Sequence, residues 1–331
     1  MFGVDLGVDQ VNFVIGNVVV HEANSLLVQV NLVAVVFLIV HNRCAHAVNL
    51  SLVAGNQIYL GDNLPILQSM PASSFQLIYI DPPFNTGRSQ VRTNVSSRRS
   101  EAGTSVGFGG QKYEQLVESV LSYDDQFTDY WGFLEPRLKQ AWRLLNETGT
   151  LYLHLDYRES HYAKVLLDSL FGRECFLNEI IWAYDYGGKA KGRWPAKHDN
   201  ILVYVKNPKT YYFDSSTVDR EPYMAPGLVT KEKAERGKLP TDVWWHTIVS
   251  PTGKEKTGYP TQKPLGILRR IISASSKPGD YVLDFFAGSG TTAHAAFELD
   301  RHFTLIDQSP ESIELITRRL SALGAQFDLK K

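Results

Sequence analysis

Asp81-Pro82-Pro83-Phe84 closes the run Phe75-Gln76-Leu77-Ile78-Tyr79-Ile80, so a carboxylate and an aromatic ring stand on a doubly rigid turn where an apolar strand must end. Each proline fixes φ and removes a backbone donor. Such a turn can do one demanding task. An exocyclic amine on a nucleobase is a poor nucleophile, because its lone pair is delocalised into the ring. Two acceptors fixed against its two N–H bonds favour a tetrahedral nitrogen and free that pair. The Asp81 carboxylate can be one acceptor and the Pro82 carbonyl the other, while Phe84 can stack on a base swung out of its helix. The plainer reading is that Pro82-Pro83 ends a strand and Asp81 caps a turn.

A second constellation lies about 200 residues downstream. Val282-Leu283-Asp284 reads as a strand end, followed by Gly288-Ser289-Gly290 and a helix opening at Thr291. Glycines let the backbone approach a ligand, and a helix N-terminus offers unpaired N–H groups. Asp307 ends the next strand, 17 residues beyond Gly290, where an acid can accept both hydroxyls of a ribose. Gly288 to Ala293 also satisfies the dinucleotide fingerprint G-x-G-x-x-A, so a nicotinamide-dependent oxidoreductase is a rival reading, and a ligand-free strand-to-helix turn is another. Asp284 tips the balance. A carboxylate aimed at this turn repels a pyrophosphate but suits the ammonium and sulfonium of S-adenosylmethionine.

With both constellations in view, the sequence resembles the β-class amino-group DNA methyltransferases, whose motifs are [DNS]-P-P-[YF] and F-x-G-x-G. Here these stand as Asp81-Pro82-Pro83-Phe84 and Phe286-Ala287-Gly288-Ser289-Gly290, in the permuted order of that class. Gly61-Asp62-Asn63 matches the family's acidic turn beside the cofactor adenine. Thr261-Gln262-Lys263-Pro264 matches its segment beside the methionine moiety. The resemblance covers roughly residues 56–323. It implies an α/β fold, doubly wound on a mostly parallel seven-stranded sheet, with S-adenosylmethionine as cofactor. It implies Asp81, Pro82, Pro83 and Phe84 as catalytic, and Asp62, Thr261, Lys263, Asp284, Phe286, Gly288, Gly290, Thr291 and Asp307 as cofactor-binding. The implied reaction moves a methyl group to adenine N6 of a flipped base in double-stranded DNA. Asp in the tetrad favours adenine over cytosine N4, whose enzymes often carry Ser there. A non-catalytic DNA-binding protein that kept the fold is the alternative from another class. The resemblance also admits a restriction endonuclease and a second copy of the chain as partners.

DNA would be held outside the core. Residues 88–112 carry five basic residues, including Arg88 and Arg92, against one acid, and read as a long loop placed to close over a base. Lys189, Lys191, Arg193 and Lys197 surround Trp194, a pattern that suits phosphate neutralisation with stacking and equally a solvated basic loop. Residues 207–258 occupy the place of a target-recognition insert. Within it Trp244, Trp245 and His246 can read bases or build a small local core, and a core role is expected for at least one tryptophan.

These residues need a scaffold, and the rest of the sequence supplies one. Gln57–Met70 reads as strand, acidic turn and helix. Phe127–Gly149 has helical spacing, with a start near Leu134 or Glu135 set by Pro136 and a C-cap at Gly149. Strands follow at Thr150–Asp156, Asn178–Tyr184 and Asn200–Lys206, with a helix at His161–Gly172. From Tyr259 helices and strands alternate to Leu323, as a mostly parallel sheet requires. The divisions expected are 56–206 and 259–323 as catalytic and cofactor halves of one domain, with 207–258 inserted. The chain has 331 residues, a formal charge of −1 and two distant cysteines, which fits a reducing cytoplasm and gives no metal-ligand spacing. Residues 1–42 lack Lys and Arg, and their longest apolar run, Leu32–Val40, is too short to span a bilayer. Residues 1–50 read as a peripheral appendage outside the resemblance.

Overall fold

The computed structural model describes residues 55–87, 125, 127–185, 189–250 and 253–331, together with the backbone of strands at 90–99, 105–106 and 112–123. The expectations for residues 1–50 and for Arg88 lie outside the described residues.

In chain order the main sheet contains β1 (Gln57–Leu60), β2 (Phe75–Ile80), β6 (Leu145–Asp156), β7 (Phe176–Ala183), β8 (His198–Val205), β9 (Val243–Trp245), β10 (Tyr281–Asp284), β11 (His302–Asp307) and β12 (Asp328–Lys330). Their spatial order is β12-β1-β11-β10-β2-β6-β8-β7-β9. Every neighbouring pair is parallel except those of β8, the one reversed strand. The sheet therefore has nine strands, not the seven expected. The extra two are the three-residue edge strands β9 and β12, too short to carry a pattern in sequence.

Helices cover both faces. One face packs α5 (Leu265–Ser275), α6 (Thr291–Glu298) and α7 (Pro310–Ala322); the other packs α1 (Asn63–Ser69), α2 (Tyr130–Leu144) and α3 (Ser160–Phe171). β2 lies between the two layers, with all six residues buried. Leu77 and Tyr79 join the α5–α7 core, and Ile78 and Ile80 join the other. Ile78 and Ile80 have no exposed surface, and each stabilises the fold by about 1.5–3 kcal/mol. The strand that leads into the tetrad is thus held from both faces.

Three local expectations are corrected. Helix α2 starts at Tyr130, not near Leu134, because Asp129 caps it by accepting from the Gly132 N–H at 2.8 Å and because Tyr130 and Leu134 are buried. Pro136 then sits inside the helix opposite the carbonyl of Gly132, where the loss of one bond is tolerated. Gly149 does not cap α2. Leu144 and Leu145 are both fully buried, so the chain passes straight from helix into β6, which contains Gly149. The stretch 88–112 is not one long loop: β3 (Gln90–Arg99) pairs antiparallel with β5 (Lys112–Tyr123), and β4 (Ser105–Val106) pairs with β5 in a small separate sheet.

The described residues of the 207–258 stretch form a turn of 3-10 helix, α4 (Lys231–Arg236) and β9. It runs along the main sheet, with the Asp214 N–H bonded to the Ala274 carbonyl at 2.8 Å and β9 extending the sheet beside β7. Trp244 is buried beneath Arg270, whose guanidinium lies 4.9 Å from its ring, whereas Trp245 is exposed. Trp244 thus takes the core role expected for at least one tryptophan. Among the described residues no helix is long and apolar enough to cross a membrane.

Candidate active site

β10 and β2 are adjacent parallel strands. The chain leaves β10 towards β11 on one side, and from β2 the sheet continues to β6 on the other, so their carboxyl ends form the switch point at which open α/β sheets bind ligands. Asp284 ends β10 and Asp81 follows β2. Both turns line one cleft of about 340 Å³, which brings together Asp62, Asp81, Pro82, Pro83, Phe84, Thr261, Lys263, Asp284, Phe286, Gly288, Thr291 and Asp307. Gly290 does not line it.

Four carboxylates stand along the sheet's carboxyl edge in strand order: Asp62 after β1, Asp307 on β11, Asp284 on β10 and Asp81 after β2. Two have cationic partners. The Asp62 carboxylate accepts from the Leu64 N–H at 3.1 Å, which caps α1, and from the Arg137 guanidinium at 2.7 Å. The Lys263 ammonium is paired with Asp81 Oδ2 and lies 5.0 Å from the Phe84 ring centroid. Asp81 Oδ1 is buried with no hydrogen-bond partner, an orphaned acceptor on the cleft wall. Such a group costs free energy until a donor arrives.

Asp284 and Asp307 form no salt bridge among the described residues. Asp284 accepts from the Thr292 hydroxyl at 2.5 Å and the Phe286 N–H at 3.0 Å, but burial dominates and pushes its carboxyl up to about 7. Asp307 accepts from the Gly288 N–H at 2.8 Å and the Ser309 N–H at 2.9 Å, and burial again prevails, raising it to about 6. Two desolvated carboxyls poised near neutrality call for cations or hydroxyl donors.

The glycines of the turn divide the work. Gly288 has φ +48°, and a Cβ there would reach the Tyr259 ring at 3.1 Å on the cleft side. Gly290 has φ +71°, and a Cβ there would meet Ile316 of α7 at 2.9 Å. Gly290→Ala is expected to destabilise the fold by about 2–4 kcal/mol, from strain plus overpacking. Gly324→Ala, at φ +77° with nothing within 4 Å, isolates the strain alone and should cost about 1 kcal/mol. Urea melts of both variants measure the difference.

Other side chains complete the site unannounced by the sequence. Asn63 donates to the Phe285 carbonyl at 2.7 Å and accepts from Arg137 at 2.5 Å, which ties α1, α2 and β10 together. Arg137 also lies 3.9 Å from the centroid of the Phe133 ring, and Phe127 and Phe133 build an aromatic wall 4.8 Å apart. Arg137 and Phe133 lie on α2, where amphipathic spacing alone reads them as ordinary helix positions.

The basic residues expected at DNA are not gathered in the cleft. Lys189, Lys191 and Arg193 are exposed between β7 and β8, beside a Trp194 that is 95% exposed. Lys197 closes that loop by donating to the Asp185 carbonyl at 2.6 Å. Arg92 lies on β3.

A doubly wound parallel sheet with acids and a glycine turn at its switch point defines a nucleoside-binding α/β protein. The model of the DNA methylase family, which covers N6 and N4 methyltransferases, matches residues 75–318, and the chain belongs to that family. It is 31% identical over 268 residues to the DNA adenine methyltransferase YhdJ of Escherichia coli K12, covering 78% of this chain and 81% of that one. Among solved structures it is similar to an M1.HpyAVI–SAM complex (TM-score 0.51, 23% identity, 80% of this chain and 98% of that one). It is also similar to the cytosine-N4-specific PvuII DNA methyltransferase (TM-score 0.56, 14% identity, 84% and 95%).

Proposed function

We propose that the protein transfers a methyl group from S-adenosylmethionine to the N6 amine of an adenine flipped out of double-stranded DNA. The observation that carries this reading is the single cleft shared by the Asp81 and Asp284 turns. The cleft fits the cofactor: its two carboxyls without cationic partners suit an ammonium, a sulfonium and ribose hydroxyls. Asp284 would take the cationic amino-acid portion, Asp307 the ribose and the Asp62 turn the adenine. Gly288, Phe286, Thr291, Thr261 and Lys263 would line the binding path. Bound there, the cofactor supplies an electrophilic methyl on a sulfonium.

The chain's own residues do the rest. Asp81 accepts one N–H of the target amine through its orphaned Oδ1, and the Pro82 carbonyl accepts the other. Phe84 stacks on the base. Methylation would place positive charge on the amine nitrogen, and Asp81 would hold that charge and take one amine proton. Lys263 pairs with the other oxygen, Oδ2, and so leaves Oδ1 to the amine. Lys189, Lys191 and Arg193, with Arg88 and Arg92, grip the DNA backbone, and the 207–258 insert contributes sequence reading. YhdJ, named an adenine enzyme, and the Asp of the tetrad both favour adenine.

Single-molecule sequencing of plasmid from cells expressing the protein reads base, motif and strand together. The expected result is N6-methyladenine at one short motif. N4-methylcytosine alone would replace adenine with the cytosine reading, and unmodified DNA would remove both.

A further inference from the structure

The reaction described above leaves a buried titratable line unused. It crosses three neighbouring strands on one face of the sheet. The Tyr79 hydroxyl lies 2.8 Å from His154 Nδ1, and His154 Nε2 lies 3.1 Å from Asp199 Oδ2. The other oxygen of Asp199 accepts from the Tyr184 hydroxyl at 3.0 Å. His154 has no exposed surface, and Tyr79 and Asp199 are buried. The Trp182 ring packs edge-on against the imidazole at 5.5 Å between centroids, and Phe84 lies at 6.0 Å. Tyr79 is two residues before Asp81 and itself lines the cleft.

The direction of the protons follows from the ends of the line. Burial alone would raise the Asp199 carboxyl, but the hydrogen bonds it accepts from His154 and Tyr184, with the Lys263 ammonium nearby, outweigh it and hold it low. Asp199 is therefore a pure acceptor, and Nε2 must carry a proton. In the neutral ring Nδ1 is then a lone pair and takes the Tyr79 O–H. Burial, then the charges of Asp81, Asp284 and Asp199, keep that phenol protonated. Its one proton is committed to His154, so the oxygen can present only lone pairs to the cleft.

We propose that His154 and Asp199 are positioning residues that hold Tyr79 Oη as a hydrogen-bond acceptor beside Asp81, for the amine whose nitrogen becomes positive during methyl transfer. This rests on the proposed function. An acceptor preset before the charge appears needs no reorganisation, so its effect falls on turnover and not on ground-state binding.

Tyr79→Phe keeps the ring and removes only the hydroxyl. Its kcat should drop at least about tenfold, with KM for DNA and for S-adenosylmethionine within about threefold. His154→Gln, which still offers Tyr79 an acceptor, should retain more turnover than His154→Leu. Wild-type kcat in Tyr79→Phe, or a change in KM alone, would overturn the proposal. If the wild-type protein transferred no methyl group to DNA, the functional reading would fail, and the line would be tested separately by nitrogen-15 shifts of His154. Protonated Nε2 with Nδ1 accepting in the wild type, and a freed Nδ1 in Tyr79→Phe, support it; a proton on Nδ1 alone overturns it.

Discussion

Asp81→Ala should lower methyl transfer by at least about a thousandfold, as expected for loss of both a fixed acceptor and the proton's destination. Cofactor affinity should stay within about threefold of wild type, because the acids assigned to the cofactor are Asp62, Asp284 and Asp307. The variant has a side effect that follows from geometry. Asp81 pairs with Lys263, whose side chain is only 10% exposed, so removal of the carboxylate leaves a buried ammonium uncompensated. Its melting temperature should fall, and adding Lys263→Met should recover much of the loss without restoring activity. Asp81→Asn keeps the volume and one acceptor for Lys263 but neither the charge nor a site for the proton, so it should lose less melting temperature than Asp81→Ala and remain inactive. Calorimetric titration with the cofactor, thermal melts and single-turnover rates on DNA separate the three effects.

Asp284→Asn should weaken S-adenosylmethionine binding by at least about tenfold and abolish its pH dependence. With its carboxyl raised to about 7, the wild type is mostly protonated at pH 6 and mostly ionised at pH 8. Only the ionised form attracts a cation, so apparent affinity should tighten roughly tenfold across that interval. The empty protein should show the opposite sign. A carboxyl raised from 3.8 to about 7 is favoured as the neutral acid in the fold. Its contribution to stability is fully present below pH 4 and is lost as pH rises towards 7, by up to about 4 kcal/mol. Asn escapes that loss but satisfies the Thr292 hydroxyl and the Phe286 N–H less well. A net gain of about 1–2 kcal/mol over wild type at pH 8 is expected, shrinking as pH falls. Stability spent at a binding site in this way is common in proteins that must hold charge in a dry cleft.

Much of this site was legible because its chemistry is local in sequence. Asp81 to Phe84 is one turn at the end of one strand, and Asp284 to Thr291 is another, so composition and spacing carry both. The alternating elements around them located the parallel sheet, and parallel topology places both turns on its carboxyl edge. What stayed hidden is long-range pairing. Lys263 meets Asp81 across 182 positions, and nothing near either residue announces it. Asn63 and Arg137 are similarly joined across 74 positions. The 90–99 strand stayed hidden because Val91 and Val95 are its only aliphatic residues, too few to mark an alternation, and a spacing of four fits a helix face equally well. Pro136 misled in the opposite way: a capped first turn with buried Tyr130 outweighed the local rule.

The most direct measurement is nucleoside mass spectrometry of plasmid DNA incubated with the purified protein and S-adenosylmethionine carrying a deuterated methyl group. The account predicts deuterated N6-methyladenine from the wild type and none from Asp81→Asn. Deuterated N6-methyladenine from Asp81→Asn at the wild-type rate, or no labelled base from a wild-type protein that binds both cofactor and DNA, would contradict it.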